Sequence, residues 1–249
     1  IKTFYKKFNK IVFVSTKLNV KEIKKINKYA KIITRPNYGY DFYSYKVGTE
    51  YLRKINEKSS NENNLLYLLP SSLIFDKPSK LLKKFLKIKN LKNCVYGLSK
   101  SWEICEHLQS EMYIFSFDLF DNKNFFNWWK NLKKFKSRQI IIFKYEIGFS
   151  NFLKKERIRR LTLFTKNIEN YPTGIVNNLK QRIFNIFFRE NKIYKKNPMH
   201  FYWKDIYKEF GILKIELFKS NPHKINMGEV INTLSKKKFE KIKLASINN

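Results

Sequence analysis

Two short apolar runs rich in β-branched residues, each followed by helical spacing, constrain the fold of this chain more than any other feature. The first run, 10–16, precedes the pattern of an amphipathic helix at 20–29. The second, 30–34, precedes a helix predicted at 42–54. Two successive β-α units imply parallel strands joined by right-handed crossovers. We therefore predict an α/β fold with a mixed, mainly parallel sheet.

The loop after the second run combines a basic side chain, an amide, a glycine and a carboxylate within the sequence R-P-N-Y-G-Y-D at 35–41. Gly39 permits either sign of φ, and Asp41 is predicted to cap the next helix. A strand end, a bent loop and a helix N-terminus form a geometry that binds phosphates at the edge where open α/β sheets bind ligands. Ser15 ends the first run and is expected beside Arg35. An ordinary turn-and-cap role for 35–41 is the alternative interpretation.

The rest of the chain continues the α/β pattern. The run at 64–69 is predicted to be a fully buried strand, preceded by a polar surface loop at 59–64. Further strands are predicted at 93–99 and 112–117, and further helices at 77–86 and 175–190. Residues 224–249 are rich in lysine and are predicted to form a terminal helix with a ragged tail, which leaves 1–223 as one domain.

The formal charge of +32 comes from 52 Lys and Arg against 20 Asp and Glu. A basic chain gains affinity for nucleic acids by releasing counterions, so a nucleic-acid-binding protein is one alternative. The lysines are spread from Lys2 to Lys243 along predicted helix faces and form no nucleic-acid motif, which makes nucleic acid an unlikely partner. Phosphate-bearing sugar donors or an anionic membrane surface suit the same charge.

The cysteine count and the hydropathy pattern indicate the cellular compartment of the protein. Cys94 and Cys105 have no C-x-x-C spacing, which fits a reducing cytoplasm. The longest apolar run, 65–75, is interrupted by Pro70, and the start lacks a signal-peptide pattern. The chain begins with Ile1 rather than Met, as expected of a processed chain or a piece of a longer one. We expect a cytoplasmic protein, with peripheral attachment to the inner face of the cytoplasmic membrane left open.

An aromatic stretch at 124–130 runs into a lysine-rich segment ending at Lys136. One interpretation is an interfacial helix whose rings enter lipid headgroups while the lysines meet anionic lipid. The favoured interpretation is that Phe125, Trp128 and Trp129 share one helical face and pack on the sheet.

Six motifs occur in order between residues 10 and 223. The first, R-P-N-Y-G-Y-D-F-Y-S-Y-K-V-G at 35–48, is similar to R-x-N-x-G-Y-D-F-G-S-Y-K-x-G of the rhamnan-synthesis F family, bacterial glycosyltransferases of surface polysaccharide assembly. The others that resemble this family are N-C-V-Y-G-L-S at 93–99, H-L-Q-S at 107–110, Y-E-I-G-F-S at 145–150, N-P-M-H-F-Y-W at 197–203, and G-I-L-K at 211–214 with N-P at 221–222.

The resemblance implies a single GT-A-like, Rossmann-related domain with a donor half at about 1–92 and an acceptor half at about 93–223. It implies transfer of a sugar, rhamnose or another deoxysugar, from a nucleotide-sugar donor to a growing, lipid-linked glycan of a capsule, an O-antigen of lipopolysaccharide or a similar polymer. Inversion at the transferred carbon is expected.

The donor site implied by the resemblance includes Arg35 for the diphosphate, Asp41 for the base or ribose, and Asn37 to shape the loop. The other donor-side residues are Ser15, Gly39, Ser71 and Ser72.

The chain departs from the family at Pro70-Ser71-Ser72, where the family usually has Asn-Asp-Ser. A carboxylate at this edge would hold Mg²⁺ or Mn²⁺ against the diphosphate, and Asp76 is a candidate substitute. We predict that the metal is dispensable or weakly bound. The lost carboxylate also suggests an alternative, a catalytically inactive scaffold of the same fold.

The resemblance places the acceptor side near Gln109 and His200. Three side chains are candidates for the general base, ranked Glu146, His107 and His200, because Glu146 is predicted to open the helix after the acceptor strand. The structural alternatives are a backbone hydrogen bond for His107 and, for Glu146, a helix cap or an ion pair with one of the arginines at 157, 159 and 160.

Overall fold

The structure is a computed structural model that describes residues 1–56, 65–89, 91–102, 104–165 and 197–247. The N-terminal elements are α1 (Lys2–Tyr5), β1 (Val12–Ser15), α2 (Val20–Ile26), β2 (Lys31–Thr34) and α3 (Tyr40–Asn56). The central elements are β3 (Leu65–Leu68), β4 (Leu73–Phe75), α4 (Pro78–Phe85), β5 (Cys94–Gly97), β6 (Lys100–Ser101), β7 (His107–Leu108) and β8 (Tyr113–Ser116).

After β8 the chain is mostly helical. A 3-10 turn (Phe117–Phe120) leads to α5 (Lys123–Lys130). One helical stretch then comprises α6 (Arg138–Ile141), a π-helical segment (Ile142–Ile147) and α7 (Gly148–Lys155). The remaining elements are β9 (Arg159–Thr162), α8 (Pro198–Phe201), α9 (Trp203–Phe210), β10 (Ile212–Lys214), α10 (Glu216–Lys219), α11 (Met227–Leu234) and α12 (Lys236–Ile247).

The first two strands pair in parallel, from Val12 opposite Lys31 to Ser15 opposite Thr34. Helix α2 begins with a capping box, in which Asn19 accepts from the Glu22 N–H and the Glu22 carboxylate accepts from the Asn19 N–H. The predicted β-α-β unit at the N-terminus is therefore confirmed.

Helix α3 begins at Tyr40, two residues earlier than predicted. Gly39 has a φ of +71°, and a Cβ there would lie 2.6 Å from the Cβ of Tyr43, so only glycine suits this turn. Tyr40 opens the helix, and Asp41 lies in its first turn rather than at the cap. The capping role expected for Asp41 is wrong, because Gly39 takes the position before the helix.

The largest sheet has the strand order β3-β8-β5-β9. Strand β8 runs antiparallel to both β3 and β5, and β9 runs parallel to β5. Separate two-stranded sheets are formed by β1 with β2, β4 with β10, and β6 with β7. The fold is thus α/β with mixed sheets.

We expected mainly parallel pairing, but four of the six pairings among the described strands are antiparallel. The reason lies in the connection from β5 to β8. The described residues of this connection carry the β6–β7 ribbon instead of a crossover helix, so β8 returns antiparallel. Strand β3 is also not fully buried, since Leu66 and Leu68 are buried while Leu65 and Tyr67 are half-buried.

The main core packs the large sheet against α5 and the helical stretch 138–155. Phe125 and Phe149 are fully buried, Trp129 is 2 % exposed, and Trp128 packs against the same cluster. The packing interpretation of the aromatic stretch is therefore confirmed, because Phe125 and Trp129 are buried in the core and Trp128 packs against it.

The C-terminal segment forms two helices where one terminal helix was predicted. Val230 and Leu234 of α11 and Phe239 of α12 are buried in a cluster with Trp203 and Leu217. The polar loop 59–64 and the helix predicted at 175–190 lie outside the described residues. Within the described ranges, no helix has the length and apolarity needed to cross a membrane.

Candidate functional site

Four carboxylates gather around one lysine in this strongly basic chain. The ammonium of Lys214 lies 3.0 Å from Glu111 Oε1 and 3.8 Å from Glu216 Oε2. It also interacts electrostatically with the Glu146 carboxylate. The Asp41 carboxyl interacts electrostatically with Lys214 and Glu111. We call these five residues, Asp41, Glu111, Glu146, Lys214 and Glu216, the carboxylate cluster.

Four separate stretches of the chain bring these side chains together, since Lys214 and Glu216 are only two residues apart. Asp41 lies in the first turn of α3, Glu111 just before β8 and Glu146 in the π-helical segment. Lys214 ends β10, which pairs with β4, and Glu216 opens α10. A π-helical segment inside an α-helix is frequent at functional sites, which marks the turn that carries Glu146.

The ion pair between Lys214 and Glu111 is the centre of the cluster, with side chains that are 11 % and 4 % exposed. Burial lowers the pKa of Lys214, but Glu111 and Glu216 outweigh it, so the pKa is raised. The Gln109 amide makes hydrogen bonds with both of its atoms in one orientation. In this orientation its nitrogen donates to Glu111 Oε1 at 3.2 Å, and its oxygen accepts from Asn197 Nδ2 at 2.7 Å. Glu111 is therefore held from two sides.

Asp41 is the member of the cluster whose protonation is most sensitive to pH near neutrality. Burial raises the pKa of its carboxyl to about 6, and the opposing effects of Lys214 and Arg35 offset this only in part. A carboxyl with this pKa exchanges protons close to physiological pH.

Glu146 and His107 place two proton-accepting atoms side by side. Glu146 Oε1 accepts from the Ser110 N–H at 2.8 Å and lies 3.9 Å from His107 Nε2. His107 Nδ1 lies 2.7 Å from the carbonyl oxygen of Cys105, which assigns the proton to Nδ1. Burial lowers the pKa of His107, so the ring is neutral at pH 7 and Nε2 carries a lone pair.

The backbone hydrogen bond predicted as the structural alternative for His107 is thus present, and it leaves Nε2 facing Glu146. Glu146 lies within a continuous helical stretch rather than opening a helix as predicted. Arg160 is one of the three arginines considered as ion-pair partners of Glu146. Its guanidinium lies 3.6 Å from a different carboxylate, that of Glu106.

Glu216 links His200 to the cluster. His200 Nε2 lies 3.7 Å from Glu216 Oε2, and Arg138 Nη2 lies 2.7 Å from Glu216 Oε1. The hydrogen bond from His200, with Lys214 and Arg138, lowers the pKa of Glu216 to about 2 against the opposing effect of burial. His200 is 1 % exposed, and its Nδ1 has no hydrogen-bond partner among the described residues. The His223 ring lies 4.8 Å from the His200 ring.

The predicted donor residues lie in the first β-α units. The Arg35 N–H donates to the Ser15 carbonyl at 2.9 Å, so these residues are neighbours as expected. The Arg35 guanidinium donates to Ser44 Oγ at 2.9 Å and to three carbonyls of its own loop, those of Pro36, Tyr38 and Tyr40. These contacts give Arg35 a role in holding the loop, and its contact with a diphosphate stays a prediction.

The same loop is anchored to the segment after α5. The Gly39 N–H donates to the Phe135 carbonyl at 2.9 Å, while Asn37 is exposed. Further along, Ser71 is exposed in the turn after β3, and the Ser72 carbonyl accepts from the Ile215 N–H at 2.9 Å. Ser72 therefore lies next to the segment that carries Lys214.

The residues present do not fit a divalent metal site. Asp76 lies 2.7 Å from the ammonium of Lys238 and accepts from the Tyr207 hydroxyl at 2.8 Å, and Glu111 is paired with Lys214. In the part of the chain that the structure describes, no three His, Cys, Asp or Glu side chains are arranged to hold a metal ion. We derive no metal-dependent step.

Sequence reasoning missed Glu111, Lys214 and Glu216. Two signals were present. Glu111 directly follows the H-L-Q-S motif, and Lys214 lies between Leu213 and Ile215 in an otherwise apolar strand, where a charge needs a partner.

The comparisons with known proteins give one match. Residues 11–173, well over half of the chain, match the family model described as rhamnan synthesis protein F. The matched region contains Asp41, His107, Glu111 and Glu146 and ends before Lys214. No curated protein and no solved structure matches.

Proposed function

Since the chain belongs to the rhamnan synthesis protein F family, whose name refers to polysaccharide synthesis, we propose that it is a glycosyltransferase. It moves rhamnose or another deoxysugar from a nucleotide-sugar donor to a growing glycan. The observation that carries the proposal is the carboxylate cluster, in which carboxylates from three distant stretches of the chain and the nearby Glu216 gather around Lys214.

The chemistry of the cluster suits sugar hydroxyls better than phosphates. An ionised carboxylate only accepts hydrogen bonds, and a hydroxyl is a donor. Hydrogen bonds to ionised groups are about twice as strong as neutral ones, and partial burial strengthens them further. Because the cluster holds four carboxyls and one lysine, it repels a diphosphate and accepts the hydroxyls of the acceptor sugar.

Glu146 is the proposed general base. It takes the proton of the acceptor hydroxyl while that oxygen bonds to the anomeric carbon and the bond from this carbon to the diphosphate oxygen breaks, with inversion. His107 Nε2, at 3.9 Å from the same Glu146 oxygen, is the second candidate, and His200 is the third. Gln109 positions Glu111 for the acceptor, since it is itself only 2 % exposed.

The donor lies, in this proposal, over the first two β-α units of a single GT-A-like domain. The loop 35–41 and the N-terminus of α3 receive the diphosphate, because a helix N-terminus presents N–H groups to anions. Ser15 and Ser72 border the nucleotide, and Asp41, a hydrogen-bond acceptor, meets its base or ribose rather than the diphosphate. Metal is dispensable, so transfer is expected to survive EDTA; loss of transfer in EDTA with recovery in Mn²⁺ contradicts this part.

A lipid-linked acceptor of a capsule or O-antigen requires contact with a membrane surface. Ile140 and Phe143 are 42 % and 57 % exposed on the helical stretch 138–155, near the basic side chains of Lys136 and Lys144. Exposed apolar side chains beside lysines suit peripheral attachment to anionic lipid. We propose this surface as the membrane contact.

The test is transfer by the purified chain from a panel of nucleoside diphosphate sugars, including nucleotide-activated rhamnose, to a rhamnose oligosaccharide. Release of nucleoside diphosphate that depends on the acceptor is the expected result. A ligand at 100 times its dissociation constant stabilises the fold by about 2.7 kcal/mol. Stabilisation by donors without transfer indicates an inactive scaffold. Strongly salt-dependent binding to nucleic acid without either effect indicates the nucleic-acid alternative.

A further inference from the structure

An open groove lies on the face of the helical layer formed by α5 and the stretch 138–155. Its volume is about 440 Å³. Lys144 lines it, while Glu146, two residues later and therefore on the other side of the helix, points to Ser110 and His107. The groove is thus separate from the carboxylate cluster. Its main lining consists of three amides and three aromatic rings: Asn124, Asn127, Asn131, Trp128, Tyr145 and Phe152.

The three amides form one wall of the groove. Asn124, Asn127 and Asn131 are three and four residues apart, which places them on one face of α5 and its C-terminal end. Asn124 donates to Glu156 Oε2 at 2.8 Å across the groove, which fixes that end of the wall. Each side-chain amide offers two N–H donors and a carbonyl acceptor.

The aromatic rings form a rigid floor. Trp128 stacks on Phe152 with ring centroids 5.9 Å apart and an interplanar angle of 28°. Tyr145 is fixed by its hydroxyl, which donates to the Lys133 carbonyl at 2.6 Å. Trp128 and Phe152 are half-buried, so parts of their faces stay open to the groove. This floor is preorganised, which lowers the entropic cost of binding.

We propose that this groove binds a saccharide chain, with the C–H faces of the sugar rings on Trp128 and Phe152 and the hydroxyls on the asparagine amides. A polyol needs donors and acceptors beside an apolar surface, and the groove offers both. Its charged lining, two lysines and Glu156, has a net charge of only +1, which is compatible with an uncharged ligand. The choice of rhamnose and the link between the groove and transfer rest on the proposed function.

A lipid surface fits the groove less well. Of the four aromatic rings on α5, Phe125 and Trp129 are buried in the core and Phe126 and Trp128 are half-buried, so no ring of this helix is fully exposed for insertion into lipid. A saccharide held here keeps the growing glycan attached between transfers, which raises the effective concentration of its reactive end at the carboxylate cluster.

The test compares the double variant Asn127→Ala/Asn131→Ala with the wild type and with Asn151→Ala. Alanine is a better helix former than asparagine, so the fold is retained, and thermal melting checks this. Asn151 is an exposed asparagine on α7 outside the groove, which makes it a matched control. Binding of a rhamnose oligosaccharide, measured by calorimetry, is expected to weaken about tenfold or more in the double variant and to stay unchanged in the control.

Turnover separates this proposal from the proposed function. Transfer to a monosaccharide acceptor, which is too short to reach the groove, is expected to be unchanged in the double variant. If the wild type transfers sugar and the double variant binds the oligosaccharide as tightly as the Asn151→Ala control, the saccharide role of the groove is wrong and the proposed function stands. Groove-dependent oligosaccharide binding without any transfer keeps the groove and overturns the function. Loss of binding to phosphatidylglycerol vesicles in the double variant, with oligosaccharide affinity intact, assigns the groove to lipid and overturns the saccharide proposal.

Discussion

The aromatic core and the carboxylate cluster lie on opposite sides of one helical turn and are built on opposite principles. Phe115, Phe125, Trp129 and Phe149 pack with ring centroids 5.3 to 6.3 Å apart, and each comes from a locally apolar run. The cluster instead gathers charges from four separate stretches of the chain. The core adds stability through burial of apolar area, whereas buried charges lower stability unless each has a partner.

The two regions meet at the π-helical segment and the start of α7. Tyr145 and Phe149 face the core, while Glu146 faces Ser110 and His107. The same segment thus stabilises the fold with some side chains and serves the site with another. Substitutions on either face are expected to separate stability from activity.

The largest effect on stability is expected in the core. Phe149→Ala removes a fully buried ring, so the free energy of unfolding is expected to fall by about 3–5 kcal/mol in urea denaturation. Phe143→Ala, on the same helical stretch but 57 % exposed, is the control and is expected to change stability by about 0.5 kcal/mol or less. Equal losses in both variants contradict the description of the core.

The second effect concerns the ion pair at the centre of the cluster. Lys214→Met leaves Glu111 buried without its cation, so stability is expected to fall by about 3 kcal/mol. The double variant Lys214→Met/Glu111→Met removes both charges and is expected to be more stable than Lys214→Met alone. A double variant that loses the sum of the two single effects shows that the two residues do not interact.

The smallest effect is a gain in stability that depends on pH. The pKa of Asp41 is raised to about 6, so the folded state disfavours the ionised form and loses stability as pH rises through this value. Asp41→Asn is expected to stabilise the fold at pH 8 by about 1 kcal/mol, discounted for the partial exposure of the side chain. The gain is expected to shrink to near zero by pH 3, below the ordinary pKa of 3.8, where the carboxyl is mostly protonated in both states. A gain that persists undiminished at pH 3 rules out titration of Asp41 as its cause.

Local pattern was enough to predict the strands β1, β2 and β8, the helices α2, α4 and α5, and the packing of the aromatic stretch. Local pattern did not predict the direction of β8. This direction depends on the connection from β5 to β8, which carries the β6–β7 ribbon rather than a helix. The mainly parallel sheet was an extrapolation from the N-terminal β-α units to strands whose connections differ.

Part of the grouping was predicted from the sequence, and the roles of the residues stay predictions. Asp41, His107, Glu146 and His200 are sequence-predicted candidates, and the structure brings each of them to the cluster or into contact with one of its members. Lys214 was not selected, because its role depends on the pairing of β10 with β4, which joins segments far apart in the sequence. Pairing of this kind has no local sequence signal.

The central claim is that the carboxylate cluster performs glycosyl transfer with Glu146 as the base. Turnover and donor affinity of Glu146→Gln, measured beside Glu106→Gln as a control in a half-buried ion pair with Lys100, test it most directly. Glutamine keeps the shape and the bond from Ser110 but removes the basicity. Turnover is expected to fall by about 100-fold with donor affinity unchanged, and the control is expected to be near wild type. Normal turnover in Glu146→Gln, with loss in His107→Asn, contradicts the assignment and transfers the role to His107.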